Sequence, residues 1–219
     1  MPASPASTPA EDLDLLRSAA VSAGILAAGY FRRDVRSWTK DNASPVTEAD
    51  IMVDEFLQSA LLGARPDYGW LSEETDDNDR RLGCARVFVV DPIDGTRGFI
   101  RGDDSWTISL AVVENGRPIA GVVYAPARDE LFDAAMGTQV RFNGRPLKRL
   151  VPAGRLPVIP APGAVHQELQ SGGLDYKRGP AFASLAYRLV QVATGTLDAA
   201  VARRGAQDWD IAGAAMILQ

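Results

Sequence analysis

The chain has 219 residues, of which 46% are hydrophobic, and it carries a formal net charge of −5. This length is enough for one large domain or two small ones with buried cores. The acidic balance argues against a partner that is a nucleic-acid polymer, because no basic excess neutralises its phosphates. The single cysteine, Cys84, excludes an internal disulfide and a cysteine zinc cluster, and it indicates a reducing, cytoplasmic location.

The N-terminal part of the sequence predicts a disordered tail and two helices. Residues 1–10 are mostly Pro, Ala, Ser and Thr and contain little that a core could bury. A helix is expected over about residues 12–33, with Asp12 near its start. Its Ala-rich run follows acidic residues and is too short for a bilayer, so we expect neither a signal peptide nor a membrane partner. A second helix, with Thr47 as its N-cap, is expected to end near Gly63.

The central part predicts an antiparallel-rich sheet. Asp91-Pro92 is expected to end the strand before it, because proline removes a backbone donor. Asn115-Gly116 indicates a hairpin turn between two strands. The expected strands cover residues 69–71, 87–90, 106–113, 119–125, 131–135 and 139–142.

The composition changes near residue 150, where a segment rich in Pro and Gly begins. We therefore expect an N-terminal α+β subdomain over residues 11–150 that carries a metal site. A C-terminal α/β subdomain over residues 151–219 would complete that site. The elements expected in the second subdomain are helices over residues 184–194 and 211–218 and a strand over residues 198–202.

Carboxylates stand beside predicted helix starts and strand ends at Asp50, Glu73, Asp91, Asp94 and Asp210. If they converge, their like charges require cations or large pKa shifts. Oxygen ligands of this kind suit Mg²⁺ or Mn²⁺, and two such ions would clamp a phosphate and activate a water molecule. The alternative is that Asp91 and Asp94 merely belong to a surface turn, and spacing alone does not decide between the two.

The stretch Asp91-Pro92-Ile93-Asp94-Gly95-Thr96 resembles the signature of the inositol monophosphatase superfamily of Mg²⁺-dependent, lithium-sensitive phosphatases. Three further segments resemble its other motifs, in the order in which the family has them: Val-Thr-Glu-Ala-Asp at 46–50, Ser-Glu-Glu-Thr at 72–75 and Trp-Asp-Ile-Ala at 209–212. The sequence departs from the family at Ser72, where the family has glycine. Family members also continue past the last motif, so the second subdomain is either missing a C-terminal part or unusually small.

The resemblance implies a layered αβαβα sandwich of α+β or α/β class, with the site between the two subdomains. It implies two or three Mg²⁺ ions, for which Mn²⁺ can substitute. Glu73, Asp91 and the carbonyl of Ile93 would bind one ion. Asp91, Asp94 and Asp210 would bind a second. A homodimer is one expected assembly.

The resemblance also implies the catalytic roles around these ions. Glu73 would help hold the attacking water, and Thr96 and Asp50 would form a hydrogen-bonded pair that activates it. The backbone N–H groups of Gly95 and Thr96 would hold the phosphate, as the turn before a helix start already suggests. Lys40 would lie in a loop near the site and contact the substrate.

The segment Arg97-Gly98-Phe99-Ile100-Arg101-Gly102 resembles that of 3'(2'),5'-bisphosphate nucleotidases more than that of inositol monophosphatases. A bisphosphate needs a second cationic contact, which Arg97, Arg101, Lys177 or Arg178 could supply unless these are solvated surface cations. The sequence therefore predicts hydrolysis of a small phosphorylated substrate, adenosine 3',5'-bisphosphate, to AMP and phosphate. Inositol monophosphate and histidinol phosphate are alternative substrates. A non-catalytic phosphate-binding protein is the alternative of another class, which the retention of every metal-ligand position disfavours.

Overall fold

The structure is a computed structural model that describes residues 7–40, 44–148, 154–161, 163–202 and 205–219. The subdomain boundary that the sequence predicts near residue 150 lies outside the described residues. The helices are α1 (Pro9–Ala28), α2 (Glu48–Ala64), α3 (Thr96–Arg101), α4 (Gly163–Ser171), α5 (Leu185–Thr194) and α6 (Asp208–Leu218). The strands are β1 (Ser37–Thr39), β2 (Pro45–Thr47), β3 (Gly69–Ser72), β4 (Arg86–Asp94), β5 (Thr107–Glu114), β6 (Arg117–Ala125), β7 (Glu130–Ala135), β8 (Arg141–Phe142), β9 (Arg145–Pro146), β10 (Val158–Ile159) and β11 (Lys177–Arg178).

A seven-stranded sheet forms the centre of the molecule, with strands β3 to β9 lying side by side in chain order. The first pair, β3 and β4, is parallel, and the other pairs are antiparallel. Phe88, Val89 and Val90 of β4 are buried, as expected for an apolar strand covered on both faces. The predicted Asn115-Gly116 turn joins β5 to β6, and both of its residues have positive φ.

Helices cover both faces of this sheet. On one face, α1 and α2 contribute Leu16 and Leu57 to the largest core cluster. On the other face, α5 and α6 pack Val190 and Ala214 against Val123 of β6. A separate parallel pair, β10 and β11, lies beside the end of α5, where the backbone N–H of Asp198 donates to Val158 O over 2.9 Å. The predicted layered architecture, of α+β or α/β class, is therefore confirmed. Within the described residues, every helix is too short or too polar to cross a bilayer.

The first helix begins at Pro9, earlier than predicted, and ends at Ala28. Thr8 is its N-cap, and the Glu11 carboxylate accepts a hydrogen bond from the Thr8 backbone over 2.7 Å. This reciprocal capping box, with proline in the first helical turn, fixes the start of the helix. Residues 8–10 of the predicted tail thus belong to the cap and first turn of α1, and residues 1–6 lie outside the described part of the chain.

One predicted strand ends later than expected, and another does not form. Strand β4 continues through Pro92 to Asp94, because its pairing with β5 shifts register between Asp91 and Asp94 and leaves the proline in an interrupted ladder. Residues 198–202 form no strand. Arg155 pairs with the Asp198 carboxylate at 2.6 Å, and the same carboxylate accepts the N–H of Val158, so side-chain contacts and one backbone hydrogen bond hold Asp198 in place of a strand ladder.

Candidate active site

Three carboxylates converge where β4 ends and α6 begins. One oxygen from each of Asp91, Asp94 and Asp210 lies within 4.8 Å of the others. The register shift in β4 explains how two residues three apart reach the same place. Asp91 pairs with Ser109 and Asp94 pairs with Thr107. The chain therefore advances three residues along β4 but only two along β5, and this extra residue turns both aspartate side chains to the same side of the sheet.

These carboxylates repel one another, and Asp91 and Asp94 are buried while Asp210 is half-buried. Burial raises the pKa of Asp91 well above its usual range, and the charges of Asp94 and Glu73 raise it further. Burial also raises the pKa of Asp94 to about 6, although hydrogen bonds from Ser184 and Ala186 oppose the shift. Among the described residues, the buried Asp91 Oδ1 has no hydrogen-bond partner. A hard divalent cation with oxygen ligands would satisfy that atom and remove the repulsion, so the residues fit Mg²⁺ or Mn²⁺.

Glu73 lies next to this cluster, directly after the neighbouring strand β3, but outside the group of three carboxylates that lie within 4.8 Å of one another. Because β3 and β4 are parallel, their carboxyl ends meet at one edge, and the Glu73 N–H donates to Val90 O over 3.2 Å. Lys40 Nζ lies 3.3 Å from Glu73 Oε1 and 2.7 Å from Glu74 Oε1. Burial raises the pKa of Glu74 to about 7 despite this lysine. Lys40 therefore contacts the acidic residues behind the site and lines a separate depression beside Trp38.

Thr96 and Asp50 form the hydrogen-bonded pair that the resemblance implies. Thr96 Oγ1 lies 3.1 Å from Asp50 Oδ1 and 3.1 Å from the carbonyl of Ile93. The other Asp50 oxygen accepts the backbone N–H of Thr47 over 2.8 Å within the capping box of α2. Burial raises the pKa of Asp50, and the hydrogen bonds from Thr47 and Thr96 oppose that shift. The cap of α2 thus fixes the carboxylate that faces Thr96.

A cleft of about 490 Å³ opens in front of these residues. Gly95 and Thr96 lie on its wall, where α3 begins. Gly95 has φ 93°, and a Cβ there would lie 2.9 Å from the backbone nitrogen of Ser184, so only glycine fits. Among the described residues, the charged ones that line the cleft are Glu73, Asp94, Arg97, Arg101, Arg188 and Asp210.

The structure adds site residues that the sequence did not indicate. Arg188 of α5 donates to the carbonyls of Ser184, over 3.2 Å, and Val201, over 2.7 Å, and it faces the cleft. Burial lowers its pKa, and the charges of Asp94 and Asp210 oppose that effect. The sequence indicated Ser184 only as the first residue of an expected helix, yet its hydroxyl lies 2.6 Å from Asp94 Oδ2.

Asp54 is another residue that the sequence analysis missed. It is buried on α2, where it accepts hydrogen bonds from the hydroxyls of Ser72 and Thr75. These two residues flank Glu73, so Asp54 holds both ends of the acidic segment. Its position one helical turn after Asp50 is the signal that could have found it, because residues four apart share a helix face.

Comparison with known proteins identifies the family to which the chain belongs. The family model described as the inositol monophosphatase family matches residues 9–219. The chain belongs to the inositol monophosphatase family. The membership that the four motifs predicted is thereby confirmed. Members of the inositol monophosphatase family are phosphatases, which hydrolyse phosphate monoesters.

The names of relatives within the inositol monophosphatase family refer to different substrates. The chain is 36% identical over 138 residues to the histidinol-phosphatase of Chlorobaculum parvum, covering 63% of this chain and 52% of that protein. It is 39% identical over 100 residues to the 3'(2'),5'-bisphosphate nucleotidase CysQ of Escherichia coli K12, covering 45% of this chain and 41% of that protein. The chain thus matches about half, or less, of the length of these two relatives.

A solved structure confirms the fold over nearly the whole chain. The extragenic suppressor protein suhB from Bartonella henselae superposes with a TM-score of 0.85 at 29% identity. The superposition covers 95% of this chain and 84% of that protein. The layered architecture of this chain is therefore that of the inositol monophosphatase family.

Proposed function

We propose that the chain is a Mg²⁺-dependent phosphomonoesterase that hydrolyses a small phosphorylated metabolite with an activated water molecule. The observation that carries this proposal is the convergence of Asp91, Asp94 and Asp210, with one buried Asp91 oxygen that lacks a hydrogen-bond partner among the described residues. Such a cluster is costly in a folded protein unless cations bind it. Membership of a phosphatase family supports the same chemistry.

We assign the metal ligands as the sequence motifs indicate. Glu73, Asp91 and the carbonyl of Ile93 would hold one ion, and Asp91, Asp94 and Asp210 a second. When bound, the ions would neutralise these carboxylates, polarise the phosphate oxygens and lower the pKa of the attacking water. Mn²⁺ would substitute for Mg²⁺, since both prefer oxygen ligands.

The chain's own residues would place and deprotonate the water. Thr96 can donate its single hydroxyl hydrogen to Asp50, which leaves its oxygen to accept a hydrogen bond from the water. As the water oxygen bonds to phosphorus and the ester P–O bond breaks, the water's proton would pass to Thr96 while the Thr96 proton moves to Asp50. The leaving alkoxide would take a proton from solvent water in the open cleft and depart as the alcohol. Glu73 would accept the second hydrogen bond of the water. The N–H groups of Gly95 and Thr96 would orient the phosphate.

Thr96→Ala is expected to lower kcat by about 100-fold, because a positioned proton acceptor contributes roughly that much. KM should change by less than about threefold, since the hydroxyl acts on the water rather than on the substrate. Steady-state kinetics with saturating Mg²⁺ measures both constants. Thr96→Ser keeps the hydroxyl and serves as the control, with most of the activity retained. A raised KM with unchanged kcat would contradict this role for Thr96.

We propose adenosine 3',5'-bisphosphate as the preferred substrate. Arg97 and Arg101 lie on the cleft wall just beyond Thr96, and Arg188 adds a third cation among the residues that the structure describes. Arg101 pairs with Asp103 at 2.6 Å but is largely exposed, so a phosphate could replace that partner at small cost. Lys177 and Arg178 lie on β11, away from the described lining of the cleft. Inositol 1-phosphate and histidinol phosphate are the alternatives.

The specificity constant for adenosine 3',5'-bisphosphate is expected to exceed those for inositol 1-phosphate and histidinol phosphate by about tenfold or more. The reason is that each charge-assisted contact to the second phosphate contributes about 1.5–3 kcal/mol. All three substrates are compared at one Mg²⁺ concentration. Arg101→Ala should remove most of the preference, and Arg117→Ala, which changes an exposed arginine outside the cleft lining, should leave it intact. Equal or faster turnover of inositol 1-phosphate would refute the substrate assignment.

A further inference from the structure

We propose that Ser184 is a positioning residue for Asp94 and that it couples the metal site to helix α5, which forms one wall of the substrate cleft. The proposal rests on the proposed function, because it takes Asp94 to be a metal ligand. Its basis is a set of contacts at the point where the end of β4 meets the start of α5.

Helix α5 holds one oxygen of Asp94. The Ser184 hydroxyl lies 2.6 Å from Asp94 Oδ2, and the backbone N–H of Ala186 donates to the same oxygen over 2.7 Å. Ser184 is the N-cap of α5, and Ala186 lies in its first turn, where backbone N–H groups lack partners within the helix. Because Oδ2 is occupied in this way, Oδ1 is the oxygen left to face a cation in the cluster with Asp91 and Asp210.

The hydrogen-bond capacity of Ser184 fixes the direction of each contact. A hydroxyl has one hydrogen and two lone pairs, and an ionised carboxylate only accepts. Ser184 must therefore donate to Asp94. Its oxygen then accepts from Thr107 Oγ1, 2.9 Å away, and from the backbone N–H of Tyr187, 2.8 Å away. Ser184 thus makes all three of its hydrogen bonds to protein, and its side chain is fully buried.

The Ser184 hydroxyl contacts both the start of α5 and the Asp94 side chain. By accepting from Tyr187 it caps α5, and by donating to Asp94 it orients a metal ligand. The backbones also touch here, since a Cβ on Gly95 would lie 2.9 Å from the Ser184 nitrogen. Leu185 and Arg188, in the first turns of α5, line the cleft. A shift of this end of the helix would therefore move both the Asp94 carboxylate and the wall that contacts the substrate.

Substitutions at Ser184 can separate the two roles. Ser184→Gly and Ser184→Ala both remove the hydroxyl, but glycine is a far better N-cap than alanine, so Ala should lower Tm more than Gly. If the hydroxyl orients Asp94, both variants should bind Mn²⁺ about tenfold more weakly, as expected when a partner of a metal ligand is lost. Ser184→Thr keeps the hydroxyl and should restore most of the affinity. Isothermal titration calorimetry with Mn²⁺, well below Tm, measures binding without any assay of activity.

Thr8→Ala is the control for capping alone, because Thr8 caps α1, away from the cleft. This variant should lose thermal stability and bind Mn²⁺ as the wild type does. Wild-type affinity in Ser184→Gly would overturn the proposal while leaving the proposed function in place. If the affinity for Mn²⁺ decreased in proportion to Tm in every variant, including Thr8→Ala, that result would also overturn the proposal. A wild-type protein that binds no Mn²⁺ would overturn both the proposal and the proposed function.

Discussion

Asp94→Asn is expected to lower kcat for phosphomonoester hydrolysis by about three orders of magnitude in saturating Mg²⁺, because it removes a charged ligand that organises the reaction. The fold should remain, since the amide oxygen of asparagine can still accept from Ser184 and Ala186. The substitution also removes a buried negative charge beside Asp91, so the metal-free variant should be at least as stable as the wild type at neutral pH.

Two measurements separate this effect from a loss of structure. Thermal unfolding in EDTA should give a Tm equal to or above that of the wild type, and calorimetric titration should show weakened Mn²⁺ binding. Asp67→Asn, which neutralises an exposed aspartate between α2 and β3, is the matched control and should leave kcat unchanged. Near wild-type turnover in Asp94→Asn would show that Asp94 is not a required metal ligand.

The metal-free protein is expected to lose stability as the pH rises from about 4 to 7. Burial raises the pKa of Asp94 from 3.8 to about 6 and that of Glu74 from 4.5 to about 7. Burial and the neighbouring charges of Asp94 and Glu73 also raise the pKa of Asp91 well above 3.8. The folded state therefore binds protons more tightly than the unfolded state. This contribution is complete below the unfolded pKa values and disappears as the pH passes the folded ones.

Mg²⁺ should reverse this loss, because the ion takes the place of the protons between the carboxylates. The rise in Tm on adding Mg²⁺ should accordingly be larger at pH 7.5 than at pH 5. Differential scanning fluorimetry in EDTA and in Mg²⁺, across that range of pH, measures both trends. Asp94→Asn should show a shallower fall in EDTA, since one titrating group is gone. A metal-free Tm that increases steadily from pH 5 to 7.5 would contradict the arrangement of charges described above.

Elements with strong local signals could be predicted from the sequence. Thr47 caps α2, Asn115-Gly116 turns the β5–β6 hairpin, and α5, which Ser184 caps and Gly195 ends, covers the expected residues 184–194 to within one residue. Each of these signals acts within a few residues, through a side chain that bonds the nearby backbone or a residue that tolerates positive φ. The start of α1 was missed although its signal is equally local, because the capping box of Thr8 and Glu11 lies within a segment whose composition suggests disorder.

Contacts between distant segments could not be derived in this way. The spacing of Asp91, Asp94 and Asp210 gives no measure of their convergence, and only the resemblance to a family indicated it. The bulge that turns Asp91 and Asp94 to one side depends on pairing with β5, and Pro92 alone suggested a strand end instead. The bond from Ser184 to Asp94 joins two elements 90 residues apart and leaves no pattern in either.

The most direct test of the central claim is a Mg²⁺ titration of chelator-treated wild-type protein while phosphate release from adenosine 3',5'-bisphosphate is measured. The convergence of the buried carboxylates predicts no release above the blank in excess EDTA. It also predicts a saturable return of activity as Mg²⁺ is added. Full phosphatase activity in excess EDTA would contradict a metal-dependent mechanism at this site.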